Sequence, residues 1–524
     1  MTKRFVSLSM AAILGLGILA GCGSSDSKSG GSAGSGTDSG TQSSGAESNS
    51  AGGGTDQNTA FQGESVNLKM IMISMGLNLE DAEKVESEIN AYIEPKINAT
   101  VDIEWLDMGD FQNQLNLKIT SGEEIDVLPM FGTQLSTLYS QEALLPLTEL
   151  VAEYGQGIEE AVGSDYLKAG YINGELYAIP CIQSFASQHS FLYRQDIADK
   201  YQLDFSNVKT LADLEPILAQ LHESEPDMSL IVSNNPSDPM LTSWSWDGLG
   251  DEYGVIIDAA NSLEVTNLYE SEEYKELVTL MHDWYEKGYI QTDASTTADN
   301  MATLLGAGNA FGTLANSYPG VRESESVNCG YELGEVVLVE PLSKTSNVNN
   351  AVITVPSTAA NPEKAVEFIN LLYTDPTLIN LLYYGIEGEH YQVTDTENGV
   401  VDYVEGQDMM TCKYVNKLKI GNSLAGYVEA TSPATLNDDM AAFNAEATKS
   451  KALGFSYDSG SVSNQLAALD TVSAKYRRGL ECGSLDPETE LPKFIEELKS
   501  AGIDDVVAEK QAQLDEWAAA NGVQ

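Results

Sequence analysis

The chain has 524 residues, 42% of them apolar, enough for one or two sizeable cores, and its 79 acidic against 27 basic residues leave a net charge of −52. A field of that sign repels phosphate backbones and anionic lipid, which excludes nucleic-acid binding and direct adsorption to a membrane surface. Four histidines in this length are little material for a histidine-rich metal or proton-relay centre, and neither a metal nor a cofactor is expected.

In chain order, Lys3 and Arg4 form a positive start, residues 5–20 an apolar stretch too short to span a bilayer comfortably, and Leu19-Ala20-Gly21-Cys22 a small-residue cleavage site. The stretch resembles the bacterial lipoprotein signal, which implies removal of residues 1–21 and acylation of the Cys22 sulfur. Residues 23–60 hold 10 Gly and 11 Ser in 38 positions, a composition that cannot collapse; residues 22–62 are expected to form a flexible tether. Its typical reach is roughly 30–35 Å, and acyl chains at about 0.8 kcal/mol per buried methylene would hold it to the membrane. The remaining cysteines, Cys181, Cys329, Cys412 and Cys482, are widely spaced and show no disulfide framework, so their pairing stays open.

The body begins near residue 63 with alternating strand and helix patterns. Residues 66–74 (VNLKMIMIS) are β-rich, and Asn78 can cap a helix whose apolar stripe is Val85, Ile89, Tyr92 and Ile93. Val101, Ile103 and Trp105 alternate as in a strand; Phe111, Leu115 and Ile119 mark a helix; residues 125–130 form an apolar strand. Such a βαβαβ start calls for parallel strands, with ligands placed at their carboxyl ends. The theme continues through 187–193, 211–223, 229–232, 271–288, 336–339 and 351–355, and Asn361-Pro362 opens a helix to Tyr373. From about residue 431 only helices are expected, the last carrying Ile503, Val507, Leu514 and Trp517 at helical spacing. A body of this length fits two domains better than one.

Catalytic motifs are missing from the body: from about residue 63 on it has no G-x-S-x-G, HExxH, Walker loop or dinucleotide fingerprint. Gly248-Leu249-Gly250-Asp251-Glu252-Tyr253-Gly254 has one residue too many for such a fingerprint and reads as loop. Paired carboxylates such as Glu123-Glu124 arise by composition alone in so acidic a chain. The aromatic residues are more informative, because sugar rings pack a C–H face on aromatic faces while their hydroxyls need placed polar partners. Trp244-Ser245-Trp246-Asp247 stands in a stretch with no helical or strand period, and Asn316-Ser317-Tyr318-Pro319 follows the small-residue strand 310–315. Both suit a ligand wall; the competing use is to anchor a loop on the body. Trp105, Trp284 and Trp517 fall on periodic stripes and are assigned to core.

Six segments, in order, resemble the extracellular solute-binding proteins, family 1, of ATP-driven sugar importers, within them the lipoprotein LplA type. These are 122–127 (GEEIDV) with 144–150 (LLPLTEL), 173–180 (NGELYAIP), 192–204 (LYRQDIADKYQLD), 209–214 (KTLADL), 361–375 (NPEKAVEFINLLYTD) and 384–391 (YGIEGEHY). The tail at 453–455, 501–504 and 511–513 resembles the domain of unknown function that often closes this subfamily. The resemblance implies an α/β, two-lobed periplasmic-binding-protein-like (type II) fold with a hinge and a helical C-terminal region. Lobe 1 would be 63–181 plus about 350–415, and lobe 2 would be 182–349 plus about 416–524. The crossings would lie at 180–185, 338–350 and 416–426. Cleft residues carried over are Phe131, Gly132, Thr133, Gln134, Ser184, Phe185, Trp244, Trp246, Asn316, Ser317 and Tyr318, with Asp247 added as a hydroxyl partner. Gln134 and Tyr318-Pro319 depart from the maltose-type pattern, which points away from maltodextrin.

The implied function is capture of a carbohydrate, an oligosaccharide above all, between two lobes and delivery to the importer's permease subunits. No bond is broken, and the protein acts as a monomer held outside the cytoplasmic membrane by lipid alone. The ligand shifts an open–closed balance of a few kcal/mol because it touches both lobes only when they are closed. The alternatives are a lipoprotein binding a non-sugar solute such as a peptide, and a secreted glycoside hydrolase.

Overall fold

A computed structural model describes residues 64–235, 240–241 and 244–523; the expected leader and tether lie outside the described residues. The first sheet starts as its sequence dictates. Strand Val66–Ser74 runs parallel to Ala99–Asp107 in register from Val66↔Ala99 to Ser74↔Asp107, and Met70 bridges Val127 in the same sense. Between them, helix Ala82–Ile97 buries Val85, Ile89, Ile93 and Ile97, the i, i+4 stripe of an amphipathic helix. The helix begins after Asp81, so Asn78 is not its cap; Asn78 Oδ1 accepts the Glu80 N–H at 3.0 Å in the turn before it.

The third strand is Leu128–Phe131, and it pairs antiparallel with Ala351–Thr354, a segment arriving from far along the chain. That strand also pairs with Ile179–Pro180, so the sheet is mixed rather than wholly parallel. Its faces are covered by two clusters: one built on Ile89, Phe368, Leu372 and Tyr383, the other on Phe111, Leu115 and Leu138. Helix Pro362–Thr374 opens with proline at its first turn, as Asn361-Pro362 foretells.

The second sheet has five strands in the order Thr448–Lys449, Leu333–Ser343, Ser187–Arg194, Ala310–Ser317, Ser229–Val232. The first is a short strand inside the region expected to be all helix. It pairs parallel with Leu342 and Ser343. The core beneath holds Trp246, Trp284, Tyr269, Tyr274 and Phe311 and takes in Phe494, Leu498, Ile503 and Val506 from the C-terminal helices. Those helices are Ser463–Glu481, Pro487–Ala501 and Ile503–Asn521. At about 1.5–3 kcal/mol per fully buried large apolar side chain, this second core ties the tail to the sheet. Trp284 is buried as expected, while Trp105 is half-buried against Tyr414 and Trp517 half-buried against Phe455.

Three stretches join the sheets. The chain leaves Ile179–Pro180 and enters the second sheet at Ser187; it returns from Ser343 to Ala351; and Asn422 bridges Ile182. The joints are hydrogen-bonded closely. Ile182 N–H donates to Gly421 O at 2.7 Å, Ser423 Oγ to Ile182 O at 2.7 Å, and Asn444 spans the first crossing by donating to Gln183 O and accepting from Phe185 N–H, both at 2.7 Å.

Candidate functional site

The strand registers put two of the expected site residues, Phe131 and Ser317, beside the crossings. Phe131 lies opposite Ala351, the first strand residue after the second crossing, and Ser317 lies opposite Gln188, just after the first. The turn Gly132–Gln134 therefore ends a strand of the first sheet beside the second crossing, and Tyr318-Pro319 follows a strand of the second sheet beside the first. In the first turn Gly132 is required by close approach, since a Cβ there would meet Asn349 O at 1.9 Å. Thr133 is exposed. Gln134 is half-buried with Oε1 buried and unpartnered. Asn347 Oδ1, Asn349 Oδ1 and Asp247 Oδ2 share that condition, and each such acceptor costs about 1–3 kcal/mol until a donor reaches it.

On the second sheet Asn316 is exposed and Tyr318 is 42% exposed. Desolvation, reinforced by Glu325, nevertheless pushes the Tyr318 hydroxyl up, as for a ring set among protein mass yet open to solvent on one side. Asn316 is the register partner of His189, whose ring packs on Trp244 with centroids 5.0 Å apart. Trp244, 7% exposed, is itself a member of the second core and reaches this strand end only through His189. Behind them Ser317 Oγ, Ser190 Oγ (2.7 Å) and Gln188 Nε2 (3.3 Å) all donate to Glu335 Oε1.

Three expected contacts need correction. Trp246 is wholly buried in the second core, with its Nε1–H donating to Glu252 Oε2 at 2.6 Å, so it presents no face for a ring to stack on. Phe185 is 2% exposed and packs on Tyr166 at 4.5 Å between centroids, filling the first crossing. Asp247 is 3% exposed in a two-way backbone bridge with Ile256, and Oδ1 accepts the Leu249 N–H at 3.1 Å. For Trp246 and Phe185 packing won over recognition, because a loop without period gives no direction to its rings.

Sequence reasoning also missed buried charge beneath the tryptophan loop. Lys510 is fully buried and Lys344 nearly so, and desolvation draws both ammonium groups down against the pull of Asp251 and Asp247 respectively. Arg477 Nε donates to Glu481 Oε1 at 2.7 Å, and Leu241 N–H donates to Glu481 Oε2 at 3.1 Å. Burial pushes the Glu481 carboxyl up, opposed by Arg477.

A pocket open to solvent lies elsewhere, among Tyr384, Tyr391, Tyr403 and Tyr414 and the Lys417–Glu429 ion pair. Among the described residues, Asp81, Glu389 and His390 are one group close enough to share a cation. His390 Nδ1 accepts the Ile386 N–H at 2.9 Å, which leaves an N–H rather than a lone pair on Nε2, 3.2 Å from Asp81 Oδ2, while Lys84 neutralises Glu389. The arrangement suits an ion-pair cluster. The four cysteines Cys181, Cys329, Cys412 and Cys482 are buried and free, and burial lifts the Cys181 and Cys482 thiols to about 12.

Two sheets with separate cores, joined by three crossings with polar and aromatic turns at the hinge, define the two-lobed α/β clasp of a solute-binding protein. Residues 82–377, more than half of the chain, match the bacterial extracellular solute-binding protein family, and the chain belongs to it. Residues 451–519 match a domain of unknown function (DUF3502). A "Carbohydrate ABC transporter substrate-binding protein" of Streptococcus pneumoniae serotype 4 (strain ATCC BAA-334 / TIGR4) is 27% identical over 467 residues, 87% of this chain and 91% of that protein. The crystal structure of the N-glycan transport solute binding protein (NgtS) from Streptococcus pneumoniae is 26% identical, covering 86% of this chain and 99% of that one, with a TM-score of 0.75. The same protein in complex with Man5GlcNAc gives 26% identity, 86% and 98% coverage, and a TM-score of 0.62.

Proposed function

We propose that this protein captures an oligosaccharide between its lobes outside the cell and hands it to an ATP-driven importer, without catalysis. The observation that carries the reading is the pairing of His189 with Asn316 at the strand end that leads to Tyr318, with Trp244 packed on His189, while Phe131, Thr133 and Gln134 end a strand of the other sheet next to the second crossing. Tyr318 offers an exposed aromatic face worth about 0.5–1.5 kcal/mol and Trp244 the small part of its ring left open, and Asn316, Thr133 and Gln134 offer hydroxyl partners at about 1 kcal/mol each. The kinship with a protein described by N-glycan transport supports a mannose- and N-acetylglucosamine-containing ligand. The greater likeness to the structure whose description names no glycan, 0.75 against 0.62, is in keeping with an open arrangement that a sugar would close.

In this reading Cys22 carries acyl chains, residues 22–62 are the tether, the body works as a single copy, and the permease subunits receive the loaded form. The lobes follow the sheets, 63–181 plus about 350–415 and 182–349 plus about 416–524. Calorimetry with Man5GlcNAc tests it: saturable binding that Trp244→Ala weakens tenfold or more is the expected result. Binding of peptides instead of sugars, or release of reducing ends from the oligosaccharide, would replace this reading with another.

A further inference from the structure

Helix Ile503–Asn521 carries an apolar stripe that packs on the second core, yet one residue on that stripe is a lysine. Lys510, 0% exposed, reaches beneath the loop that follows Trp244. Its Nζ donates to Gly248 O at 3.0 Å, to Gly254 O at 2.9 Å and to Asp251 Oδ1 at 2.7 Å. Three donors meet three acceptors spread over seven residues, so one ammonium group closes the loop into a ring. A hydrocarbon side chain of equal length would take this donor from Gly254 O and leave Gly248 O and Asp251 Oδ1 with only the N–H groups of Asp251 and Tyr253 from the loop itself.

Two further groups of the same C-terminal region hold the same loop. Tyr253 Oη donates to Asp470 Oδ1 at 2.6 Å on helix Ser463–Glu481. Arg477 on that helix stands 3.6 Å from Glu252 Oε2, the oxygen that accepts the Trp246 indole N–H. Next along, Gln511 accepts the Val265 N–H at 2.7 Å and donates to Leu263 O at 3.1 Å. All of these anchors lie within residues 451–519, the segment matched by a domain of unknown function.

We propose that this C-terminal domain is a buttress that fixes the tryptophan loop of the second lobe in its ligand-ready conformation, with Lys510 and Tyr253 as positioning residues. The proposal rests on the reading of Trp244 as part of the glycan wall. Its physical sense is preorganisation: a loop already ordered before the sugar arrives loses no conformational entropy on binding, so the tail contributes affinity without touching ligand. Charge is used because one ammonium group can serve Gly248 O, Gly254 O and Asp251 Oδ1 together, tying both ends of the loop to the helix.

The test is hydrogen exchange on the full chain without ligand, followed by calorimetry with Man5GlcNAc. In Lys510→Met, amides of residues 247–256 are expected to exchange at least tenfold faster, those of strands Ser187–Arg194 and Ala310–Ser317 to keep their rates, and affinity to fall tenfold or more. Tyr253→Phe, which removes one hydroxyl, is expected to give the same local pattern at a few-fold and decides the matter should Lys510→Met not fold. Unchanged exchange at 247–256 in Tyr253→Phe, exchange raised evenly across the lobe, or a loosened loop with undiminished affinity would each overturn the proposal. Trp244→Ala separates the two readings: if it binds the glycan as tightly as the parent, the glycan-wall assignment fails, while loop exchange still tells whether the buttress exists.

Discussion

Gly132 sits so close to Asn349 that a single added carbon would lie 1.9 Å from the Asn349 carbonyl oxygen, and so the turn closing a first-lobe strand is fitted against the second crossing. Gly132→Ala must therefore displace the crossing backbone. An overpacking cost of about 1–3 kcal/mol is expected, read as a lower denaturant midpoint, and glycan affinity should fall with it because the crossing sets the approach of the lobes. A variant as stable as the parent would show that the contact yields freely.

Trp246→Ala separates core from cleft. The indole is wholly buried and hydrogen-bonded to Glu252, so its loss should cost about 3–5 kcal/mol of stability. Trp244→Ala should cost less stability and more affinity, since Trp244 packs on His189 at the strand end. Equal effects of the two substitutions on unfolding would contradict the assignment.

Much of the fold is legible in the sequence wherever a period exists. Val85, Ile89 and Ile93 give the helix Ala82–Ile97, Asn361-Pro362 gives the start of Pro362–Thr374, and the strand at 187–193 emerges nearly to the residue. The site is legible only in part. Asn316 and Tyr318 follow a recognisable strand, but the Trp244–Asp247 stretch has no period, so nothing local says that both indoles turn into the second core, Trp246 wholly and Trp244 with 7% exposed beside His189. Lys510 has a signal in the sequence as well: with Ile503, Val507 and Leu514 on one stripe, a lysine between Val507 and Leu514 is a charge aimed inward. The pairing of Leu128–Phe131 with Ala351–Thr354 joins segments some 220 residues apart, which no local pattern encodes.

Lys419 supplies a pH prediction. Its ammonium stands over the Tyr383 and Tyr384 rings, and desolvation draws its pKa from 10.5 to about 8, with Glu429 opposing and Lys417 assisting. Between these values the unfolded chain holds a proton that the folded chain has released, so this group's contribution to stability rises with pH from 8 to 10.5 and is unfavourable below 8. Lys419→Met should be as stable as the parent or more so at pH 7, and the difference should shrink as pH climbs to 10.5. A gap that widens over that range would contradict the sign.

Cysteine chemistry gives a further check. Cys181, Cys329, Cys412 and Cys482 are free and buried, and the high thiol pKa of Cys181 and Cys482 leaves almost no thiolate at neutral pH. Ellman's reagent should find none of the four in the native protein and all four after denaturation without reductant. A shortfall after denaturation would mean that a disulfide had formed.

The central claim is that a sugar is clasped by two hinged lobes, and small-angle scattering of the full chain with and without saturating Man5GlcNAc tests it most directly. A fall in the radius of gyration that tracks binding, and that Trp244→Ala shifts to higher sugar concentration, is the expected result. A scattering curve unchanged at saturating sugar would contradict it.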